Sequence, residues 1–69
     1  MEIEELGKLI KHRREVLGLT IRDLANLTGM SKTTISQIEK GSRNPTFEIL
    51  KNIFEYLNLE IKVKVKNHK

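Results

Sequence analysis

Residues 20–41, TIRDLANLTGMSKTTISQIEKG, decide the fold. Two short helical patterns meet here across one glycine. Thr20 is a good N-cap, and Asp23 stands where a carboxylate can bond back to the cap's backbone N–H. Ile21, Leu24, Ala25 and Thr28 then recur at helical spacing. Gly29 stops the pattern after about two turns, short for a helix, and takes the positive φ of a tight turn without steric cost. Ser31 is the next N-cap. Over Lys32–Lys40, Ile35 and Ile38 point inward, while Lys32, Thr33, Ser36, Gln37 and Lys40 point largely outward. Gly41 closes the segment. Two capped helices joined by a glycine turn suggest a helix-turn-helix. Ala25 has to be small where the helix axes pass close. Leu24, Met30, Ile35 and Ile38 have to be apolar to fill the space between the helices.

The flanks extend this unit. Residues 3–17 read as a first helix, with Ile3, Leu6, Ile10 and Leu17 on one apolar stripe, Leu9 beside it and Gly18 as the left-handed stop. Gly41, Ser42, Arg43, Asn44 and Pro45 are turn residues. Thr46 caps a fourth helix whose core stripe is Phe47, Leu50, Ile53, Phe54 and Leu57. Near Asn58 the period changes. Leu59, Ile61, Val63 and Val65 alternate with Glu60, Lys62, Lys64 and Lys66, the period of a strand. The division is a helical domain over 1–58 and a strand with a basic tail over 59–69.

The chain has 69 residues and a formal charge of +4 at pH 7. One domain of this length buries only roughly 60% of its unfolded surface, so disulfides, metals or a partner chain are the usual supports. There is no Cys, and His12 and His68 are too few and too far apart for a metal site, so no cofactor is expected and association remains. The absence of Cys suits a reducing compartment. No apolar run is long enough for a transmembrane helix or signal-peptide core, which gives a cytoplasmic reading with no membrane partner. No Ser/His/Asp or Cys/His arrangement, phosphate-cradling Gly loop or metal-ligand cluster points to an enzyme. The charge is unevenly spread: residues 1–10 and 45–60 are each net −2, whereas residues 11–44 and 61–69 are each net +4.

The segment LGLTIRDLANLTGMSKTTISQIEKGSRNPTFEILKNIFEYLN resembles the helix-turn-helix domain of phage repressor, Cro and xenobiotic-response-element type regulators. The combination of Leu24–Ala25, Gly29–Met30–Ser31, Ile35–Ser36, Ile38–Glu39 and Asn44–Pro45–Thr46 carries the likeness, which covers about residues 6–59. It implies a mainly α fold, a compact lambda-repressor-like domain of four to five helices, ending here in a short strand paired in a dimer. It also implies that Ser31–Lys40 is a recognition helix in the DNA major groove, with Lys32, Thr33 and Gln37 reading bases and Ser36 as a fourth contact. Lys can donate to guanine O6/N7, Gln can pair with adenine N6/N7, and the Thr33 methyl can touch thymine. Phosphate contacts are expected from Thr20, Arg22, Lys40, Ser42, Arg43 and Asn44. The family often has Gln after the helix 2 cap; here that residue is Ile21, so its phosphate contact is lost. Arg14 and Glu39 match positions where the family often pairs helix 1 with the end of helix 3, implying a partly buried structural ion pair. Read without the resemblance, the outward polar residues fit the solvated face of a surface helix better than a DNA contact.

A lone strand has no partner within a four-helix chain. A symmetric dimer would supply one: two copies of residues 59–66 would pair antiparallel with each other, and this ribbon, with exposed parts of helix 4, would hold the dimer together. Leu59, Ile61, Val63 and Val65 would then face the helices. This architecture is similar to that of the HipB-type antitoxins. Two other readings stay open: a frayed tail, since Asn67–Lys69 carry no anchor, and lysines 62, 64, 66 and 69 touching phosphate or an acidic partner. The function implied is sequence-specific binding of a palindromic double-stranded DNA operator by a homodimer. The settings that fit are an antitoxin with its toxin, a phage or general repressor, and a restriction–modification controller. The rival is a protein-interaction module that keeps the fold without specific DNA binding.

Overall fold

Four caps decide where the helices begin. In the computed structural model, which describes residues 1–66, they are α1 Ile3–Val16, α2 Ile21–Thr28, α3 Lys32–Lys40 and α4 Phe47–Leu57. The Glu2 N–H donates to Glu5 Oε1 at 2.9 Å ahead of α1. Thr20 and Asp23 form a reciprocal box: Thr20 N–H donates to Asp23 Oδ2 at 2.9 Å, and Asp23 N–H donates to Thr20 Oγ1 at 3.0 Å. Ser31 Oγ accepts from Thr34 N–H at 3.0 Å, and Thr46 Oγ1 accepts from Ile49 N–H at 3.2 Å. Each bond satisfies a first-turn amide that would otherwise lack a partner.

α3 packs on α1 and α2, and α4 packs on the same two helices. Ile10, Leu24, Ala25, Ile35, Ile38, Ile53, Phe54 and Leu57 form the core between them, with Leu6, Leu9, Leu19, Ile21, Met30, Ile49, Leu50 and Leu59 against its edge. Two polar side chains lock the far ends: Arg13 Nε donates to Leu57 O at 2.9 Å, and Asn52 Nδ2 donates to Thr28 O at 2.9 Å. Both carbonyls belong to the last turn of a helix, where no intrahelical donor remains.

Gly7 makes the α1–α3 contact possible. It is buried, and a Cβ on it would lie 2.5 Å from the carbonyl oxygens of both Ile38 and Glu39. The two backbones therefore meet with no side chain between them, a contact the apolar pattern of α1 does not signal.

The sequence reading needs three corrections. Leu17 is the exposed C-cap of α1 and not part of its buried stripe. Phe47 is 59% exposed, because it is the first residue of α4 and faces away from the core, with the Lys51 ammonium 5.8 Å from its ring centroid. The expected strand is not formed among the described residues. A strand exists through bonds to a neighbouring strand, and residues 59–66 have none among the described residues. Leu59 still docks, its N–H donating to Phe54 O at 2.9 Å. Ile61 lies beside Phe47 and Phe54 at the rim of a groove, but Val63 and Val65 are 86% and 96% exposed and face no helix. The readings placed on Asn67–Lys69 lie outside the described residues. Among the described residues no helix is long and apolar enough to cross a membrane.

Candidate nucleic-acid interface

With Ile35 and Ile38 buried, the opposite face of α3 is left to solvent. Lys32, Thr33, Ser36, Gln37 and Lys40 line one shallow groove there, with Ile21 of α2 as its apolar wall. Spacings of three and four residues place them on one side of the helix. Lys32, Thr33 and Lys40 are exposed, and Ser36 and Gln37 are half-buried. Ile21 also packs against the core, so the residue that departs from the family's Gln serves as structure and as part of the groove.

The orientation of α3 is set from behind by one guanidinium. Arg14 Nε donates to Glu39 Oε2 at 2.7 Å and Nη2 donates to Oε1 at 3.1 Å, while Nη1 donates to Leu19 O at 2.8 Å. Leu19 directly precedes the cap of α2, so Arg14 ties α1, the start of α2 and the end of α3 together. Both partners are only 7% exposed. The hydrogen bonding of Glu39 raises the Arg14 pKa above its ordinary value, against the opposing effect of burial.

The ends of the groove are fixed by the caps. Asp23 accepts the Thr20 backbone N–H, and this bond, with that of the Thr20 side chain, holds its carboxyl below the ordinary Asp range. The cap is therefore complete above that range and weakens as pH falls through the lowered value. At the other end Gly41 has φ +77°. Its N–H donates to Ile38 O at 3.1 Å, the Ser42 N–H donates to Gln37 O at 3.0 Å, and Ser42 Oγ donates to the same oxygen at 3.2 Å. The loop is thus registered on the main chain of Gln37. Arg43 turns back over α3: its Nη1 donates to Thr34 Oγ1 at 3.1 Å and to Gln37 Oε1 at 3.2 Å. Ser31 Oγ also donates to Thr34 Oγ1, at 2.9 Å. Thr34 is absent from the residues singled out by sequence; its only signal there is its place three residues after the Ser31 cap. Arg22 on α2 and Asn44 in the loop after α3 are exposed.

The basic block over residues 11–44 divides accordingly. Arg13 and Arg14 hold helices together, whereas Arg22, Lys32, Lys40 and Arg43 are exposed on α2, α3 and the following loop. A groove lined by donors and hydroxyls, flanked by cations, has the chemistry of phosphate and base-edge contact.

Comparison with known proteins places this geometry. The Helix-turn-helix family pattern matches residues 10–63. The chain is 37% identical over 60 residues to the ImmF control region 10 kDa protein of Bacillus phage phi105, covering 87% of this chain and 67% of that protein. It is 33% identical over 57 residues to an uncharacterized HTH-type transcriptional regulator of Mycobacterium tuberculosis, covering 83% of this chain but 41% of the relative's length. Among solved structures, the restriction-modification controller protein C.Esp1396I in tetrameric complex with its natural 35 base-pair operator superposes with a TM-score of 0.78 at 34% identity, over 84% of this chain and 76% of that one. The controller C.AhdI from Aeromonas hydrophila shares the fold, with a TM-score of 0.81 at 24% identity over 84% of this chain and 88% of that one. The chain belongs to the helix-turn-helix family.

Proposed function

We propose that this protein regulates transcription by binding a palindromic operator as a homodimer, with α3 in the major groove. The observation that carries the reading is the single groove that gathers Lys32, Thr33, Ser36 and Gln37 on the outer face of α3. These four are the base-reading set. Thr20, Arg22, Lys40, Ser42 and Asn44 flank them as phosphate contacts, and Arg43 adds a guanidinium at the same edge. Two copies of α3 about 34 Å apart would enter successive major grooves. The operator complex of C.Esp1396I, at 34% identity, supports this arrangement. Control then follows from occupancy, as an autoregulator or repressor.

Gln37→Ala is expected to relax preference at one base pair per half-site, at a cost of about 1–3 kcal/mol on the preferred sequence. Fluorescence anisotropy on single-base-pair variants measures this. The same loss on every sequence would remove Gln37 from the base-reading set. A shallow salt dependence with no preferred sequence would favour a protein-interaction module instead.

The dimer surface in this reading is the apolar rim of α4 and the tail. Met1, Leu6, Leu9, Phe47, Leu50 and Ile61 share a groove there, and Val63 and Val65 are exposed further along the tail. Antiparallel pairing of residues 59–66 with a second copy would supply the missing ladder and cover the valines. The lysines would then face solvent and protect the edge. A chain ending at Glu60 is expected to lose the dimer at low micromolar concentration in sedimentation equilibrium. A truncated chain that stays dimeric would refute the ribbon.

A further inference from the structure

Arg43 does more than mark the edge of the groove. It donates through Nη1 to Gln37 Oε1 at 3.2 Å and to Thr34 Oγ1 at 3.1 Å, while the loop that carries it is bonded to Gln37 O through both Ser42 donors. A guanidinium only donates. The Gln37 amide is therefore held with its carbonyl oxygen toward Arg43 and its NH₂ turned away.

This orientation bears on what Gln37 can read. Bidentate pairing with adenine needs Oε1 to accept from N6–H and Nε2 to donate to N7. Here Oε1 already accepts from a cation, and that cation would lie beside adenine's own donor. Guanine presents two acceptors, O6 and N7. Gln37 Nε2 and the remaining N–H groups of Arg43 form a matching set of donors. Resting on the DNA-reading role proposed above, we infer that Arg43 and Gln37 act as one unit that selects guanine, with Arg43 setting the specificity of the pair. Arg43 is then a specificity determinant where a loop cation would ordinarily serve phosphate alone.

The test uses the full chain and the sequence it enriches from a random DNA pool. Affinities are measured for all four base pairs at each half-site position, for wild type, Arg43→Ala, Gln37→Ala and the double variant. Wild type is expected to prefer guanine over adenine by about tenfold or more at the base pair that Gln37→Ala relaxes. Arg43→Ala is expected to cut that preference to within about threefold, or to turn it toward adenine, at the same base pair, with the two substitutions coupled. Replacing that guanine by 7-deazaguanine, which lacks the N7 acceptor, is expected to weaken wild type about tenfold, a readout that needs no variant to fold. The inference is overturned if Arg43→Ala lowers affinity by one factor on every sequence with the guanine preference kept, or if 7-deazaguanine binds wild type unchanged. Either result leaves DNA reading itself intact as long as wild type enriches a defined sequence. Failure of wild type to enrich any sequence overturns the parent reading and this inference together.

Discussion

Glu39→Ala is expected to destabilise the domain by about 3–5 kcal/mol, because it strands the Arg14 guanidinium without its carboxylate in a site that is 7% exposed. The pair is bidentate, with bonds of 2.7 and 3.1 Å, and such charge-assisted bonds have little freedom to find water as a substitute. A core this small rarely supplies more than about 3–5 kcal/mol in total, so the variant is expected to be largely unfolded at room temperature. Urea denaturation followed by circular dichroism measures the loss. A cost under about 1 kcal/mol would be that of an exposed pair and would contradict the role given to Arg14 in joining α1, α2 and α3. Replacing both partners by leucine is expected to cost less than the two single changes added together, since no charge is then left buried.

Gly7→Ala is expected to lower stability by about 1–3 kcal/mol, although the same change at an open helical site gains up to about 1 kcal/mol. The sign is reversed by two carbonyl oxygens. The new methyl would lie 2.5 Å from both Ile38 O and Glu39 O. These atoms are backbone of α3, so relief requires moving the helix itself. Thermal unfolding is the check, with the melting temperature falling by roughly 4–8 °C for each kcal/mol lost. An unchanged or higher melting temperature would show that α1 and α3 do not cross as closely as described. Because α3 also carries the groove, DNA affinity is expected to fall with the shift.

These two sites differ in how far the sequence disclosed them. Arg14 and Glu39 are legible as a pair through the family resemblance, since a residue of helix 1 and one near the end of helix 3 have no local pattern to connect them. Gly7 is silent, because a glycine inside a helical stripe looks the same whether it faces solvent or another backbone. The caps at Thr20, Ser31 and Thr46 are fully legible, being local hydrogen bonds between residues three apart. Phe47 is misread for a related reason: periodicity assigns a face, but the first residue of a helix can sit beyond the edge of the core. The alternation over Leu59–Val65 states what the segment could bury, and burial there requires a neighbour that the described residues do not supply. The bonds from Arg43 to Thr34 and Gln37 depend on the path of the loop after Gly41, which no spacing rule specifies. The charge arithmetic is sharpened in the same way. Two of the seven cations in residues 11–44 tie helices together, which leaves Arg22, Lys32, Lys40 and Arg43 outside the packing between helices together with exposed Lys11 on α1.

The most direct measurement is enrichment of bound sequences from a random double-stranded DNA pool, followed by affinity of the winning sequence as a function of salt. The expected result is an inverted repeat whose half-sites lie about one helical turn apart, with affinity falling steeply and linearly in log–log form as salt rises. Enrichment of no sequence, together with a shallow salt slope, would contradict the reading of α3 as a DNA-recognition helix.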